Sequence, residues 1–374
     1  MVSSMMGFML LAVRRRRRRR RVALRRVGVG APERKYVVVG DSFVDVLASG
    51  VLELPSQWNA DYLATQPIDL RSGGSAMNTA IHLRELSGSR VELHSAVGKD
   101  HFGAILKTAA ADRGLDLVDH RRQPLGTGSC VVISGANDRT FLTYRGVVDA
   151  LRGRDVDVST STHVHVAGYY NCPALQQDVP DLFRRARRAG ATTSLGVQHD
   201  ATGCWGGVGR PPLTVDDTGP DFLILSEDEA RQVVDKIAPA DDPTSWPQAD
   251  ALALLSSGAA RCVVLTVGAE GAILAGRDDN NRNILLHQRA ATAPSFVDAT
   301  GAGDAFAAGF LHGLAASGGS LRAALKFGCA AGATCVATFG ASAPLSRDVL
   351  AQALAELEED NHDNDDAIFA PLPQ

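Results

Sequence analysis

The 374-residue sequence is poor in aromatic residues, in closely paired cysteines and in long apolar runs. No apolar run approaches the ~20 residues that a membrane-spanning helix needs, so we expect no membrane partner. The six cysteines are scattered without a Cys-x-x-Cys pair, which indicates buried thiols in a reducing compartment. The low aromatic content (5%) and the 37 glycines instead suit an α/β protein with many strand-to-helix turns.

Two common nucleotide-binding motifs are also missing. The sequence has no Gly-x-x-x-x-Gly-Lys-Ser/Thr loop, which excludes a P-loop enzyme. It has no Gly-x-Gly-x-x-Gly after the first predicted strand, which argues against a nicotinamide-dinucleotide enzyme. Any phosphate site must therefore be formed by another glycine-rich turn.

Acidic residues are missing from the first 30 residues, which carry ten arginines, most of them in the run 14–21. The net charge is −4, so the remainder of the chain carries about −14, and we expect no nucleic-acid partner for it. Residues 1–34 are predicted to be a disordered or targeting leader, and residues 359–374 an acidic tail. We expect a cytoplasmic protein, or an organellar one if the leader is a transit peptide.

Short apolar runs alternate with helical patterns between residues 35 and 358, which we predict to form the folded domain. Because strands covered on both faces read as continuous apolar runs, the pattern predicts a mainly parallel central sheet with helices on both faces. Segments 45–70 and 122–146 interrupt this alternation, and we expect them to form a small separate sheet. The apolar runs lie at 36–40, 91–97, 130–133, 163–167, 192–197, 222–225 and 262–267.

The segment 298–304, Asp-Ala-Thr-Gly-Ala-Gly-Asp, is a tight glycine turn that leads into an apolar-periodic helix. The first N–H groups of a helix lack intrahelical partners, and with the helix dipole they form an anion site. Asp304 in the first turn lies where it can accept a proton from a hydroxyl group that attacks phosphorus. The alternative is that Asp304 is a simple helix cap.

A second glycine cluster, Gly73-Gly74, also runs into a predicted helix. Glycines let a ligand approach the backbone, and Asn78 in the first turns offers both a donor and an acceptor, as a polyol requires. An ordinary glycine turn with Asn78 on the surface is the alternative. Asp45 follows the first strand shortly after its carboxyl end, where ligands of such sheets bind.

Together, these motifs resemble those of the PfkB (ribokinase-like) family of carbohydrate kinases. Residues 298–309 are similar to the C-terminal signature of that family, and residues 73–80 to its N-terminal signature. Shorter similarities lie at 39–45, 98–103 and 267–271, and the resemblance covers about residues 35–350. It implies a ribokinase-like three-layer α/β sandwich in which the two interrupting segments form a small β lid.

The resemblance implies a role for each candidate residue. Asp304 is then the base that takes the proton of the substrate hydroxyl. The backbone N–H groups of Gly301, Ala302 and Gly303 stabilise the transferred phosphoryl group. The residues expected to hold the sugar are Asp45, Gly73, Gly74 and Asn78. The residues expected near the nucleotide are Thr266, Gly268, Gly271 and Thr300.

The resemblance also implies ATP and Mg²⁺ as cofactors, and K⁺ as in many relatives. Glu229 is expected to organise Mg²⁺-bound water, but Ser226 stands where many relatives carry asparagine. Gly196 stands where relatives often carry aspartate, and Asp200 is a candidate to replace that carboxylate. The residues expected to supply oxygens to K⁺ are Asp298, Thr300 and Gly340.

We therefore expect ATP-dependent phosphorylation of a hydroxyl group of a small sugar of the ribose, fructose or 2-keto-3-deoxygluconate type. Ser75 stands where ribokinases commonly carry lysine, which makes ribose less favoured. A kinase for adenosine or a similar nucleoside is the alternative, and a catalytically idle family member that acts as a regulator is another. Many relatives pair two subunits through the lid, so a homodimer is a further expectation.

Overall fold

The computed structural model describes residues 34–51, 57–135, 139–208, 213–214, 218–237, 247–277 and 283–359. The predicted leader apart from Arg34, and the predicted tail apart from Glu359, lie outside the described residues. The boundaries of leader, domain and tail, and the cellular compartment, therefore stay predictions. Among the described residues, no helix combines the length and the apolar character that crossing a membrane requires.

The described chain alternates strands and helices along most of its length. The strands are β1 (Lys35–Gly40), β2 (Phe43–Ser49), β3 (Asp69–Gly73), β4 (Arg90–Ser95), β5 (Asp116–Asp119), β6 (Ser129–Ser134), β7 (Arg139–Tyr144), β8 (His163–Ala167), β9 (Thr192–Gly196), β10 (Phe222–Ser226), β11 (Cys262–Thr266), β12 (Ala272–Arg277) and β13 (Asn283–Gln288). The α-helices are α1 (Ser75–Ser87), α2 (His101–Asp112), α3 (Pro173–Gln176), α4 (Val179–Arg188), α5 (Glu227–Ile237), α6 (Pro247–Ser256), α7 (Ala302–Ala316), α8 (Leu321–Cys335) and α9 (Arg347–Glu359).

Nine of these strands form one sheet in the order β13-β12-β11-β10-β9-β8-β1-β4-β5. The pairs from β11 through β5 are parallel, whereas the β11–β12 and β12–β13 pairs at one edge are antiparallel. In β1, Val37 and Val39 face a core shared with α4, α5 and α6. Tyr36 and Val38 face the opposite core, shared with α1, α7 and α8. The predicted mainly parallel sheet with helices on both faces is confirmed.

The remaining four strands form a separate sheet in the order β3-β2-β6-β7, which we call the lid sheet. Strands β2 and β6 are parallel, whereas the β2–β3 and β6–β7 pairs are antiparallel. The separate small sheet expected from the two interrupting segments is therefore present. Its first strand begins two residues before segment 45–70, so that Asp45 belongs to the lid sheet rather than to a loop after β1.

Candidate active site

The site is centred on Asp304, which lies in the first turn of α7 and is buried. The helix starts there because Gly301 adopts a φ of +81°, which glycine reaches without strain. Oδ1 of Asp304 accepts hydrogen bonds from Ser75 Oγ (2.7 Å) and Gln198 Nε2 (3.2 Å). Oδ2 accepts one from Asn78 Nδ2 (2.9 Å). The two glycine motifs of the sequence therefore meet at this carboxylate.

The hydrogen bonds of Asp304 leave room for a substrate hydroxyl. A carboxylate offers about four lone-pair sites, and the three protein donors use two on Oδ1 and one on Oδ2. Burial raises the pKa of Asp304 to about 7, outweighing the opposite effect of the bonds from Ser75 and Asn78. A carboxylate with such a pKa can both accept and return a proton near neutral pH.

The turn before α7 offers backbone donors to an anion. No protein acceptor is recorded for the N–H groups of Gly301 and Gly303 within the described part of the chain. A Cβ atom on Gly303 would meet nothing within 4 Å, so the backbone there is open to a ligand. The N–H group of Ala302 donates to the carbonyl of Ala299 at 3.3 Å. Two of the three expected donors are thus unengaged, and the third is held by a long bond.

Asp45 extends from β2 of the lid sheet and is buried. Burial, together with the charges of Asp41 and Asp304, raises the pKa of Asp45 to about 7. The structure records no hydrogen bond to its carboxylate from any described residue. A Cβ atom at position 73 would overlap this carboxylate, so Gly73 provides the space that it occupies. A buried carboxylate without a donor is costly unless a ligand supplies one.

Gly74 and Asn78 lie at the amino-terminal end of α1: Gly74 directly precedes the helix, and Asn78 is in its first turn. Gly74 has a φ of +89°, and a Cβ there would lie 2.9 Å from the carbonyl oxygen of Asp41. The carboxylate of Asp41 fixes this helix start by accepting bonds from Ala76 N (3.0 Å) and Asn171 Nδ2 (2.8 Å). Oδ1 of Asn78 is buried and has no partner among the described residues. It is therefore available to a ligand hydroxyl.

The residues expected near the nucleotide lie at the carboxyl end of β11 and after it. Thr266 ends β11 and is in register with Ser226 of β10. Gly268 has a φ of +51° and open space beside it. Gly271 has a φ of +100°, and a side chain there would overlap the carbonyl of Gln288. The geometry of the turn between β11 and β12 therefore explains why residue 271 is glycine, and no ligand is needed to explain it.

Glu229 fits a water-mediated role at Mg²⁺. Ser226 and Glu229 form a capping box at the start of α5: Ser226 N donates to Oε2 of Glu229, and Glu229 N donates to Ser226 Oγ. Oε1 of Glu229 has no bond recorded from the described residues. Burial raises the pKa of Glu229, and the charge of Glu229 contributes to the raised pKa of Asp304. Ser226 therefore caps this helix although it is shorter than asparagine.

Asp200 does not fit as a replacement for the carboxylate missing at Gly196. Its Oδ1 accepts from the N–H and hydroxyl of Thr202, and its Oδ2 accepts from the N–H of Trp205. These bonds fold the loop after β9 on itself. Gly196 ends β9 close to the ring of buried His165. Asp200 therefore does not take over the position of the missing aspartate.

Sequence reasoning missed the role of Ser75 and Gln198 as donors to Asp304. Ser75 directly follows Gly74, so its neighbourhood in the glycine motif was a usable signal. Gln198 lies in the loop after β9, with a φ of 62° that is unusual for a residue other than glycine. No local sequence pattern predicts the role of Gln198, because its hydrogen bond to Asp304 joins residues 106 positions apart.

The family model for pfkB family carbohydrate kinases matches residues 37–348. The chain belongs to the PfkB family. The predicted family is therefore confirmed, and with it the enzyme class: the protein is a phosphotransferase that acts on a hydroxyl acceptor, a sugar or nucleoside kinase.

Known proteins similar to this chain include kinases for different acceptors. An acarbose 7(IV)-phosphotransferase from Actinoplanes is 27% identical over 300 residues, which are 79% of this chain and 90% of that protein. An adenosine kinase structure from Sinorhizobium meliloti has a TM-score of 0.69 at 22% identity and covers 87% of this chain and 100% of its own. An Arabidopsis thaliana ribokinase complexed with ribose and ATP has a TM-score of 0.67 at 21% identity, covering 86% and 99%. These structures confirm the ribokinase-like fold.

Proposed function

We propose that this protein transfers the γ-phosphoryl group of ATP to a hydroxyl group of a small sugar, with Asp304 as the general base. The observation that carries the proposal is the arrangement at the start of α7. A buried carboxylate with one open lone-pair site lies within a turn of unengaged backbone donors. The similar ribokinase of Arabidopsis, whose structure holds ribose and ATP, supports the choice of donor and acceptor.

The sugar is held between the lid sheet and the start of α1. Asp45 accepts a hydrogen bond from one sugar hydroxyl, and Oδ1 of Asn78 accepts one from another. Each group lacks a donor within the described protein, so binding a polyol satisfies both. The attacking hydroxyl donates to the open site on Oδ2 of Asp304, which places its oxygen near Gly301 and Gly303.

Phosphoryl transfer then follows from these positions. As the substrate oxygen attacks phosphorus, its proton passes to Asp304, and the bond between the γ-phosphorus and the bridging oxygen of ATP breaks. The N–H groups of Gly301 and Gly303 stabilise the charge on the transferred group. Mg²⁺, held through water by Glu229, offsets phosphate charge when bound. The lid sheet excludes water, which prevents hydrolysis of ATP.

A nucleoside acceptor is the second candidate. The adenosine kinase of Sinorhizobium meliloti shares the fold along its whole length. The observation that favours this candidate over ribose is Ser75, which stands where ribokinases commonly carry lysine and donates to Asp304 instead of reaching toward a sugar. Asp45 and Asn78 would then hold the ribose hydroxyls of the nucleoside.

The test is release of ADP from ATP and Mg²⁺ in the presence of a panel of acceptors. The panel contains ribose, fructose, 2-keto-3-deoxygluconate, adenosine and further sugars and nucleosides. We expect turnover on at least one sugar well above the rate without acceptor. Turnover on nucleosides alone would replace the sugar proposal, and no turnover on any acceptor would support the idle regulator.

A homodimer through the lid is supported by the outer face of the lid sheet. Leu70, Val46, Val131 and Leu142 lie in one row across the four strands. Leu142 is 73% exposed and Leu70 is 44% exposed, and apolar rows of this kind are typical of surfaces that pair. We expect a dimer in sedimentation velocity that Leu142→Asp dissociates; a monomeric wild-type protein at micromolar concentration would contradict the proposal.

A further inference from the structure

We propose that Arg139 of the lid sheet supplies the positive charge beside the anion-binding turn, in the place that the family resemblance assigns to K⁺. The charge then arrives with lid closure, and the enzyme needs no monovalent cation. This inference rests on the proposed function, because the turn matters only if it binds a phosphoryl group.

Arg139 bridges two of the residues expected to bind K⁺, Asp298 and Thr300. Its Nη1 donates to Thr300 Oγ1 at 2.8 Å and to Asp298 Oδ1 at 3.2 Å. Asp298 and Thr300 directly precede Gly301, so the guanidinium lies beside the turn that offers its N–H groups to phosphate. A guanidinium keeps its charge at every accessible pH and suits this oxygen pair.

The other oxygens of the expected K⁺ site are engaged as well. Oδ1 of Asp298 also accepts from Thr300 N, and Oδ2 accepts from Gly340 N at 3.0 Å. The carbonyl oxygen of Gly340 accepts from Ala343 N. K⁺ needs several oxygens turned toward one point, whereas the side-chain oxygens of Asp298 and Thr300 and the carbonyl oxygen of Gly340 each face a protein donor. These oxygens, as arranged, are engaged by the protein rather than turned toward a shared K⁺.

Arg139 also offsets the negative charge of Asp298. Asp298 is largely buried, with 13% of its side chain exposed, and without a cation its charge would repel the phosphates of ATP. The guanidinium of Arg139 offsets that charge at a distance where a partly buried pair is little screened by salt. It thus performs the electrostatic task of a bound cation.

The position of this charge depends on the lid sheet. Arg139 begins β7, which among the described strands pairs only with β6, so Arg139 is positioned through the lid sheet. The other edge of that sheet reaches the same region, where Arg71 Nη1 donates to the carbonyl of Phe339 at 2.5 Å. Opening the lid would separate Arg139 from Asp298 and Thr300. The charge is consequently present only when the sugar is enclosed.

The test compares KCl with choline chloride at equal ionic strength, in the wild type and in Arg139→Gln. We expect wild-type turnover to agree within about twofold in the two salts, and Arg139→Gln to fall at least about tenfold in choline chloride. Arg139→Lys should retain more activity than Arg139→Gln. The matched control is Arg145→Gln, which removes a lid-segment arginine of equal exposure that pairs with Asp149 away from the turn.

A second readout does not depend on turnover. The unfolding midpoint of the wild type without substrate should show no saturable rise specific to K⁺ over choline. Such a rise, accompanied by activation of fivefold or more, would overturn the inference. So would an Arg139→Gln variant within twofold of wild type in choline chloride. If no acceptor is phosphorylated, the proposed function fails, and the midpoint measurement alone decides whether a K⁺ site exists.

Discussion

The nine-stranded sheet and the lid sheet differ in how deeply their side chains are buried. Val37, Val38 and Val39 of β1 are completely buried between two layers of helices. In β7 of the lid sheet, Phe141 is 52% exposed and Leu142 is 73% exposed, although consecutive strand residues lie on opposite faces of a sheet. The first sheet can hold a catalytic group rigidly, whereas the β7 edge of the lid sheet has little burial to fix its position.

The lid sheet is held by the packing of Val44 against Val97 and against Leu106 of α2, and by a few polar contacts with the loops around α7 and α8. Ser72 Oγ lies 2.9 Å from Ser342 Oγ, and Arg71 donates to the carbonyl of Phe339. Such contacts can break and re-form, as a lid requires. Asp304 and the anion-binding turn therefore belong to the rigid part of the molecule. Asp45, by contrast, is positioned by the lid sheet, which we propose encloses the substrate.

The largest effect is expected at the base itself. Asp304→Asn keeps the shape of the side chain but removes proton acceptance, so kcat should fall at least about a hundredfold. Affinity for ATP, measured by calorimetry, should stay within about threefold, because the turn is unchanged. Retained turnover would reject the assignment of Asp304 as base.

The second-largest effect is expected at the turn before α7. Gly301→Ala forces a non-glycine residue to a φ of +81° and places its Cβ about 2.6 Å from the backbone of Ala341. We expect kcat to fall about tenfold or more and the unfolding midpoint to drop.

The matched control is Gly190→Ala, which has a φ of +88° but open space around the new Cβ. It measures the backbone strain alone, about 1 kcal/mol. If the two variants were equally stable and equally active, the close contact with Ala341 would not be what shapes the turn.

On the lid side, the effect should appear in substrate binding. Asp45→Asn removes the carboxylate that accepts from the sugar, so KM for the sugar should rise about tenfold while kcat changes less. KM for ATP should stay within twofold. The control is Asp61→Asn, an exposed residue before β3; a KM for sugar equal in both variants would place the sugar elsewhere.

The smallest effect is expected at a lid tether. Ser72→Ala removes the bond to Ser342, which is one of several contacts, so KM for the sugar should rise by about twofold with little loss of stability. A loss of activity as large as that of Asp45→Asn would show that the lid is a rigid part of the site rather than a cover.

Local patterns predicted the rigid part of the molecule well. The alternation of apolar runs and helices indicated the parallel sheet, and the two glycine turns indicated the start of α1 and of α7. These features follow from residues that are adjacent in sequence. The strands β5, β12 and β13 were missed. β5 and β13 lie at the two edges of the sheet and mix polar with apolar residues, which weakens their pattern, whereas β12 was missed although it is apolar and almost fully buried.

The contacts between the parts could not be predicted in this way. The bond from Gln198 to Asp304 and the pairing of Arg139 with Asp298, 159 residues apart, exist only because strands from distant segments converge. The family resemblance implied a cation site at Asp298, whereas the folded structure places the guanidinium of Arg139 there. Likewise, the position of Asp45 in the lid depends on the pairing of β2 with β6.

The most direct test of the central claim is the pH dependence of kcat/KM for the sugar. Asp304 must be ionised to accept a proton, and burial raises its pKa to about 7, so the account predicts that kcat/KM declines below about pH 7. In Asp45→Asn, where Asp304 titrates without Asp45, the decline should be tenfold per pH unit. It should be steeper in the wild type, because the pKa of Asp45 is also raised to about 7, and the residual activity of Asp304→Asn should lose the part of the decline that belongs to Asp304. A wild-type profile that stays flat between pH 5 and 8 would contradict the account.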